Sequence, residues 1–440
     1  MGKKSKATPG LLKKLTTHFG TDPGKLPVIE RNFPKYDRPN LHQALEELTG
    51  DEGDLLGVII QNDYSIASLS KLSRSTSAAQ FDEGPVSLVD ETLPGERRLA
   101  CVKRGLRLFH HRNQPLALLI DEGERYSPTP GLRLEVMAAD RELAEHFLRI
   151  VETETRAGKA FRGGVLSLEG DCYRGVSVKF HQLPRIDRDE VILPEEVLRR
   201  IERHTVDFSQ QAERLKAAGR HLKRGVLFHG PPGTGKTFSA MYLGSRMPER
   251  TVFLLTGGDL GMIQQAVAMA RVLQPSTLIL EDVDLIGTKR EDQVVGANAV
   301  LFELLNQMDG LADDADLLFI LTTNRPDVLE PALAARPGRI DQAIEIPPPD
   351  ASCRRRLIEL YGKGLTFELQ HLDELVQRTE GVSAAFIREL LRKAAVHAAL
   401  EKDGDIVVSD RHLAAALAEL MVAGGPLTMS LLGASGQPPA

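Results

Sequence analysis

Apolar positions change their period along this chain. Between residues 225 and 322 they come in short, nearly continuous runs: Val226 to His229, 252 to 256 (Val-Phe-Leu-Leu-Thr), 277 to 280 (Thr-Leu-Ile-Leu) and 317 to 322 (Leu-Leu-Phe-Ile-Leu-Thr). Such runs are too short for helices and have the β-branched and aromatic character of buried strands. The stretches between them, near 236–246, 262–274 and 295–308, space their apolar residues helically. Near-continuous apolar strands separated by helices predict a parallel sheet covered on both faces, with ligands at the carboxyl ends of the strands. After Asp350 the period stays helical, with Ile387, Leu391, Ala394, Ala395 and Ala398 on one face and Leu413, Leu417, Leu420 and Met421 on another. Ser409 is placed to cap the last helix.

Ahead of this region the pattern differs. Strand-like stretches at Arg98 to Phe109, Pro115 to Ile120 and Leu132 to Met137 precede a helix near Asp140 to Thr155, and strand signals return at Gly164 to Leu168 and Val176 to Phe180. That order predicts a separate α+β module over 41–185. Residues 1–40 carry Lys3, Lys4, Lys6, Lys13 and Lys14 among Gly, Pro and Thr and are expected to be a basic, flexible arm. A polar linker at 184–189 leads to Leu193-Pro194-Glu195-Glu196, which opens a helix with acids near its positive end. The expected division is an α/β core over 186–350, a helical region over 351–422 and a disordered tail over 423–440. A chain of 440 residues exceeds the roughly 250 to 300 that one hydrophobic core supports, which agrees with several domains.

Charge and cysteine usage narrow the partners. The formal net charge of −6, with both signs interspersed, gives no chain-wide basic field, so nucleic acid is not indicated. No apolar stretch reaches the length of a membrane span, and Met1-Gly-Lys-Lys-Ser-Lys lacks the apolar core of a signal peptide, so no membrane association and a cytoplasmic location are expected. Cys101, Cys172 and Cys353 lie far apart, which argues against a disulfide framework or structural zinc. His110 and His111 have no third ligand at useful spacing and read as half-buried strand residues.

The chemistry concentrates after the first apolar run. Gly230-Pro231-Pro232-Gly233-Thr234-Gly235-Lys236-Thr237 fits G-x-x-x-x-G-K-[ST], between a strand and a helix. Glycines let backbone N–H groups close around phosphates, Lys236 reaches the β- and γ-phosphates of ATP, and the Thr237 hydroxyl ligates Mg²⁺. Phe238 follows at the start of the helix, whose N-terminus points at the phosphates. Glu281 and Asp282, with Asp284 behind them, end the third run, where carboxylates hold Mg²⁺ and polarise the attacking water. Asn324 ends the fourth and suits positioning that water. Arg336 and Arg339 flank a tight turn, from which a guanidinium can stabilise transition-state charge.

Together the string from Gly225 to Asp350 resembles the ATPase core of the AAA family within the P-loop NTPases. Gly230 to Thr237 matches Walker A and Leu278 to Asp284 the Walker B region. Leu304-Leu-Asn-Gln-Met-Asp-Gly310, Leu321-Thr-Thr-Asn-Arg-Pro-Asp327, Glu330-Pro-Ala-Leu333 and Arg336-Pro-Gly-Arg-Ile-Asp341 are similar to the family's later segments, including its second region of homology. The resemblance implies an α/β fold with a five-stranded parallel sheet between helices and a C-terminal helical lid. It also implies Asn324 as sensor 1, Arg336 and Arg339 acting in trans, and self-association into a ring, usually of six. Gly381-Val-Ser383 resembles the lid turn on the adenine side, with Ala384, Ala385 and Phe386 in place of the family's Gly-Ala-Asp.

Departures from the family pattern bear on mechanism. The family has Asp then Glu where this chain has Glu281 then Asp282, an order similar to that of the mitochondrial AAA translocase of a folded iron–sulfur subunit. Either carboxylate is a candidate base, and both are candidate metal ligands with Thr237. One extra alanine separates Leu333 from Arg336. The segment Gly257-Gly-Asp-Leu-Gly-Met-Ile263 lacks the aromatic residue of a threading pore loop, leaving Met262 and Ile263 for a weak grip. Two functions are therefore open. One is an ATP-hydrolysing ring that remodels a protein client selected by 41–185, and the other is a nucleotide-gated scaffold with little hydrolysis.

Overall fold

The computed structural model describes residues 10–50, 53–61, 67–74, 80–122, 131–171, 175–256, 262–284, 303–310, 315–327, 329, 339–401 and 404–420. The chain divides into two compact units, Met1–Gln182 and Leu183–Ala440.

The first unit runs through helix α1 (Gly10–Phe19), strand β1 (Val28–Phe33), helix α2 (Arg38–Thr49) and strands β2 (Asp54–Ile60), β3 (Phe81–Gly84), β4 (Ser87–Thr92), β5 (Arg98–His111), β6 (Gln114–Glu122) and β7 (Leu132–Met137). Helix α3 (Arg141–Arg156) and the hairpin of β8 (Val165–Asp171) and β9 (Gly175–His181) follow. The main sheet has the order β1-β7-β6-β5-β2-β3, with β4 paired to β5, and its pairs are antiparallel. Alternation of side chains explains why β6 is apolar throughout. Leu116, Leu118 and Ile120 pack with Phe147, Leu148 and Val151 of α3, while Ala117 and Leu119 pack on the opposite face with Leu11 and Leu15 of α1. Arg112 and Asn113 both take positive φ (53° and 61°), the conformation a two-residue turn between antiparallel strands needs.

The expected arm over 1–40 is corrected here for its described part. Leu11, Leu12 and Leu15 are buried on one side of α1, and β1 pairs with β7 from Val28↔Met137 to Phe33↔Leu132. The lysine-rich composition concealed an amphipathic helix: Lys14 sits on its outer side and pairs with Glu83 at 2.7 Å. His110 is exposed and His111 half-buried, both on β5.

The second unit opens with α4 (Glu195–Glu202), followed by β10 (Arg224–His229), α5 (Lys236–Arg246), β11 (Thr251–Leu255), α6 (Ile263–Val272), β12 (Ser276–Leu280), β13 (Leu317–Thr323) and β14 (Gln342–Glu345). Within this unit the sheet runs β14-β10-β13-β12-β11, all in parallel. Every residue of β12 and β13 is buried, as the continuous apolar runs require. Strand β14 escaped the sequence reading because Ile344 is its one buried residue. Helices α7 (Ala351–Tyr361), α8 (Leu372–Arg378), α9 (Ala384–Glu401) and α10 (Asp410–Ala418) surround a core of Phe386, Ile387, Leu390, Leu391 and Leu413. A small parallel pair, β15 (Thr366–Glu368) and β16 (Val407–Ser409), closes it. No described helix is long and apolar enough to cross a membrane. The expected tail over 423–440 lies outside the described residues.

Candidate nucleotide site

Strand order brings distant segments together. Because β10, β13 and β12 are neighbours and parallel, the turns after His229, Thr323 and Leu280 emerge at the same edge of the sheet. The turn after β10 bends through Gly230 (φ 142°), Gly233 (φ 75°) and Gly235 (φ 104°) before α5 begins at Lys236. Each conformation disfavours a side chain, and at Gly230 a Cβ would also lie 2.3 Å from the Ile346 carbonyl oxygen. Thr234 is buried and donates its hydroxyl to the Pro231 carbonyl at 2.9 Å, which tightens the loop.

Lys236 is buried, and its Nζ donates to the carbonyls of Gly230 (2.9 Å) and Pro231 (2.7 Å). Burial lowers its pKa, while Asp282 and Asp284 act to raise it. The loop thus holds its cation inside the turn, beside two carboxylates. Thr237 and Phe238 are exposed at the helix start, Phe238 at 43%.

Asp282 has φ 47°, in the left-handed region that Asp tolerates better than most residues. Its backbone N–H donates to Thr322 Oγ1 (3.0 Å), and its carboxylate accepts from Asn324 Nδ2 at 3.1 Å. Asp284, a residue to which the sequence reading gave no role of its own, fixes the Asn324 turn: its Oδ1 accepts from the Thr323 hydroxyl (2.8 Å) and from the Asn324 N–H (3.2 Å). Burial, then the Asp284 charge, raises the pKa of Asp282; burial, then the Asp282 charge, raises that of Glu281. Glu281 Oε1 is buried with no hydrogen-bond partner.

These parts line a cavity of about 610 Å³. Pro232 to Phe238, Asp282 and Asn324 form its polar side, and Ile192, Leu357, Leu360 and Tyr361 its apolar side. Glu281 does not line it; Arg388, which the sequence reading passed over, does. The lid closes on the loop directly. Ala385 N–H donates to the Gly233 carbonyl at 3.1 Å, and a Cβ on Gly233 would lie 2.8 Å from Ser383 Oγ and 2.9 Å from Ala385 Cβ. The Gly381-Val-Ser383 turn therefore abuts the glycine loop itself.

Arg339 is not among the residues that line this cavity. Arg339 pairs through both guanidinium arms with Asp309, and Arg336 lies outside the described residues. Ile263, expected to lend a weak grip, is corrected to a core residue: it is buried at the start of α6, because that helix packs its apolar face on the sheet. Met262 is half-buried, and 257–261 lie outside the described residues.

Residues 226–348 match the family model described as ATPase family associated with various cellular activities (AAA). Over 234 residues the chain is 31% identical to the ATP-dependent zinc metalloprotease FtsH 2 of Sphaerobacter thermophilus, covering 50% of this chain and 35% of that relative. It is 34% identical over 215 residues to FtsH of Mycobacterium tuberculosis, covering 46% and 28%. The match to the 26S proteasome regulatory subunit 8 homolog of Schizosaccharomyces pombe is 31% over 222 residues, covering 46% and 54%. The chain thus spans between about a quarter and about half of the length of these relatives. Among the described residues no group of three or more His, Cys, Asp or Glu is placed to hold a metal ion. With the glycine loop, the paired carboxylates and Asn324 on one sheet edge, and the family model spanning that edge, residues 226–348 form an ATPase domain of the AAA family.

Proposed function

We propose that this chain hydrolyses ATP, self-associates into a ring, usually of six in this family, and uses the cycle to remodel a protein client taken up through residues 41–185. The observation that carries the reading is the Asp282–Asn324 hydrogen bond at the edge of the cavity that Lys236 and Thr237 also line. Lys236 leaves the Gly230 and Pro231 carbonyls to meet the β- and γ-phosphates. Asn324 orients a water against the γ-phosphate, and Asp282 takes its proton; burial, which raises the Asp282 pKa, makes it a stronger base than an exposed carboxylate. The apolar side, with Ile192 and Tyr361, takes the base of the nucleotide.

The donor set fits magnesium, a hard cation that prefers oxygen ligands. Thr237 and Asp282, which line the cavity, would hold it; Glu281, the other carboxylate expected to do so, does not line the cavity, and its Oε1 is buried. When bound, the ion neutralises charge developing on the β- and γ-phosphates. Arg336 acts in trans on a neighbour's γ-phosphate; Arg339 joins it once released from Asp309. A cytoplasmic setting belongs to the same reading and agrees with two buried free thiols, Cys101 and Cys353.

Hydrolysis measured against protein concentration, with sedimentation run in parallel, tests this reading. Specific activity should rise as monomer gives way to oligomer. Constant activity across that change would remove the trans arginine and the ring from the mechanism. ATP binding without hydrolysis would favour the nucleotide-gated scaffold, a reading that the exchanged order of Glu281 and Asp282 supports.

A further inference from the structure

The first unit contains a second cavity, of about 750 Å³, whose lining has an unusual pattern. Four consecutive residues of β4 (89–92) and five of β9 (176–180) face it. Successive side chains of a strand point to opposite faces, so a cavity lying over one face would meet every second residue. Consecutive lining means that the cavity meets both strands edge-on. Among the described residues β4 pairs with β5 alone and β9 ends its sheet beyond β8, so these edges carry backbone N–H and C=O groups without strand partners.

Of the four basic residues in the lining one is uncommitted, and of its acids Asp90 likewise has no ion pair among the described residues. Lys35 and Arg38 are both committed to Glu122, each at 2.9 Å, and Lys179 faces Glu169 at 3.4 Å. Lys103 is exposed and has no ion pair or hydrogen bond among the described residues. It sits where the β4–β5 register breaks: Ser87 pairs with Arg104 and Leu88 with Val102, so Lys103 has no opposite residue. Phe161 and Phe180, with ring centroids 5.5 Å apart, supply an apolar wall.

We propose that this cavity receives an extended polypeptide segment that hydrogen-bonds to the β4 edge and sets a carboxylate on Lys103. Four strand residues span about 13 Å at roughly 3.3 Å each, so the occupant contributes about four or five residues in extended form. Backbone pairing is tolerant of sequence, and Lys103 adds a preference for acidic segments. That the occupant belongs to a protein client rests on the remodelling reading above; the edges and the free cation do not.

The test uses the full chain without nucleotide and a fluorescein-labelled, permanently unfolded acidic protein, reduced and carboxymethylated α-lactalbumin. Anisotropy should show binding, weakened about tenfold or more by Lys103→Glu, a change of about 1.4 kcal/mol, and restored by Lys103→Arg. Hydrogen exchange should slow at the amides of 87–92 when the probe is added. Absence of binding, affinity indifferent to Lys103→Glu, or slowed exchange confined to other residues would each overturn the proposal. So would protection, before addition, of the β4 amides that point away from β5, which would mean that the chain fills its own cavity. ATP hydrolysis in a protein that ignores the probe removes this inference and keeps the function; probe binding without hydrolysis does the reverse.

Discussion

The second unit's sheet is parallel and the first unit's main sheet is antiparallel, and each arrangement decides where chemistry can gather. Parallel strands all end on one edge, so the turns after β10, β12 and β13 meet there, and residues 88 positions apart, Lys236 and Asn324, line one cavity. Antiparallel strands alternate their ends, and no edge collects the turns. The first unit's cavity is lined instead by strand edges and a register break, from Lys35 to Phe180. A loop-built site gives strong local sequence signals, whereas an edge-built one leaves almost none.

The largest effect that would sharpen this contrast lies at Arg336. Arg336→Ala should lower kcat by about 10³ to 10⁵ while ATP affinity holds, as expected for a guanidinium supplied across a subunit contact. Mixing it with an Asp282→Asn subunit should return some activity, and loss of ATP binding in calorimetry would instead make Arg336 a binding residue. Next, Asp282→Asn should cost about 10² to 10⁴ in rate, with binding retained. If Glu281→Gln removes hydrolysis and Asp282→Asn leaves it unchanged, the two carboxylates exchange roles.

Leu15→Ala, at a fully buried position of α1, should destabilise the first unit by about 2 to 5 kcal/mol in a denaturant titration, and it should leave ATP affinity alone. An unchanged titration midpoint would return residues 10–19 to the status of an arm. Lys236→Ala should weaken ATP binding by about 1.5 to 3 kcal/mol, the scale of a charged hydrogen bond, without moving the first unit's unfolding. Unaltered affinity would dissolve the glycine-loop assignment.

The smallest effect is a pH dependence in the first unit. Burial raises the Asp37 pKa from 3.8 to about 6, so the folded state binds this proton more tightly than the unfolded chain. The stability it contributes is fully present below about pH 4 and is lost as pH rises through about 6. Asp37→Asn should therefore stabilise the chain by on the order of 1 kcal/mol at pH 8 and by nothing at pH 4. An equal gain at both values would assign the effect to packing.

How much was legible varies along the same divide. The runs at 226–229, 252–256, 277–280 and 317–322 match β10 to β13 closely, because strands buried on both faces must be apolar at every position. Strand β14 was missed because an edge strand with one buried residue has no such constraint. The amphipathic face of α1 was missed because Lys13 and Lys14 dominated the composition of a ten-residue helix.

The sequence by itself determined the phosphate loop, since only glycines at 230, 233 and 235 permit its positive φ values and only one spacing sets Lys236 and Thr237 at the helix start. It also determined which carboxylates and which asparagine end the neighbouring strands. Tertiary structure alone decided that Asp282, and not Glu281, faces the cavity with Asn324, that Asp284 holds that asparagine's turn, and that the lid presses Ser383 and Ala385 onto Gly233. It alone decided that Arg339 pairs with Asp309 and that two strand edges with Lys103 enclose a cavity. Motif chemistry is carried by residues close in the chain. Direction, contact and enclosure depend on which strands become neighbours, and that is set by burial of the whole core.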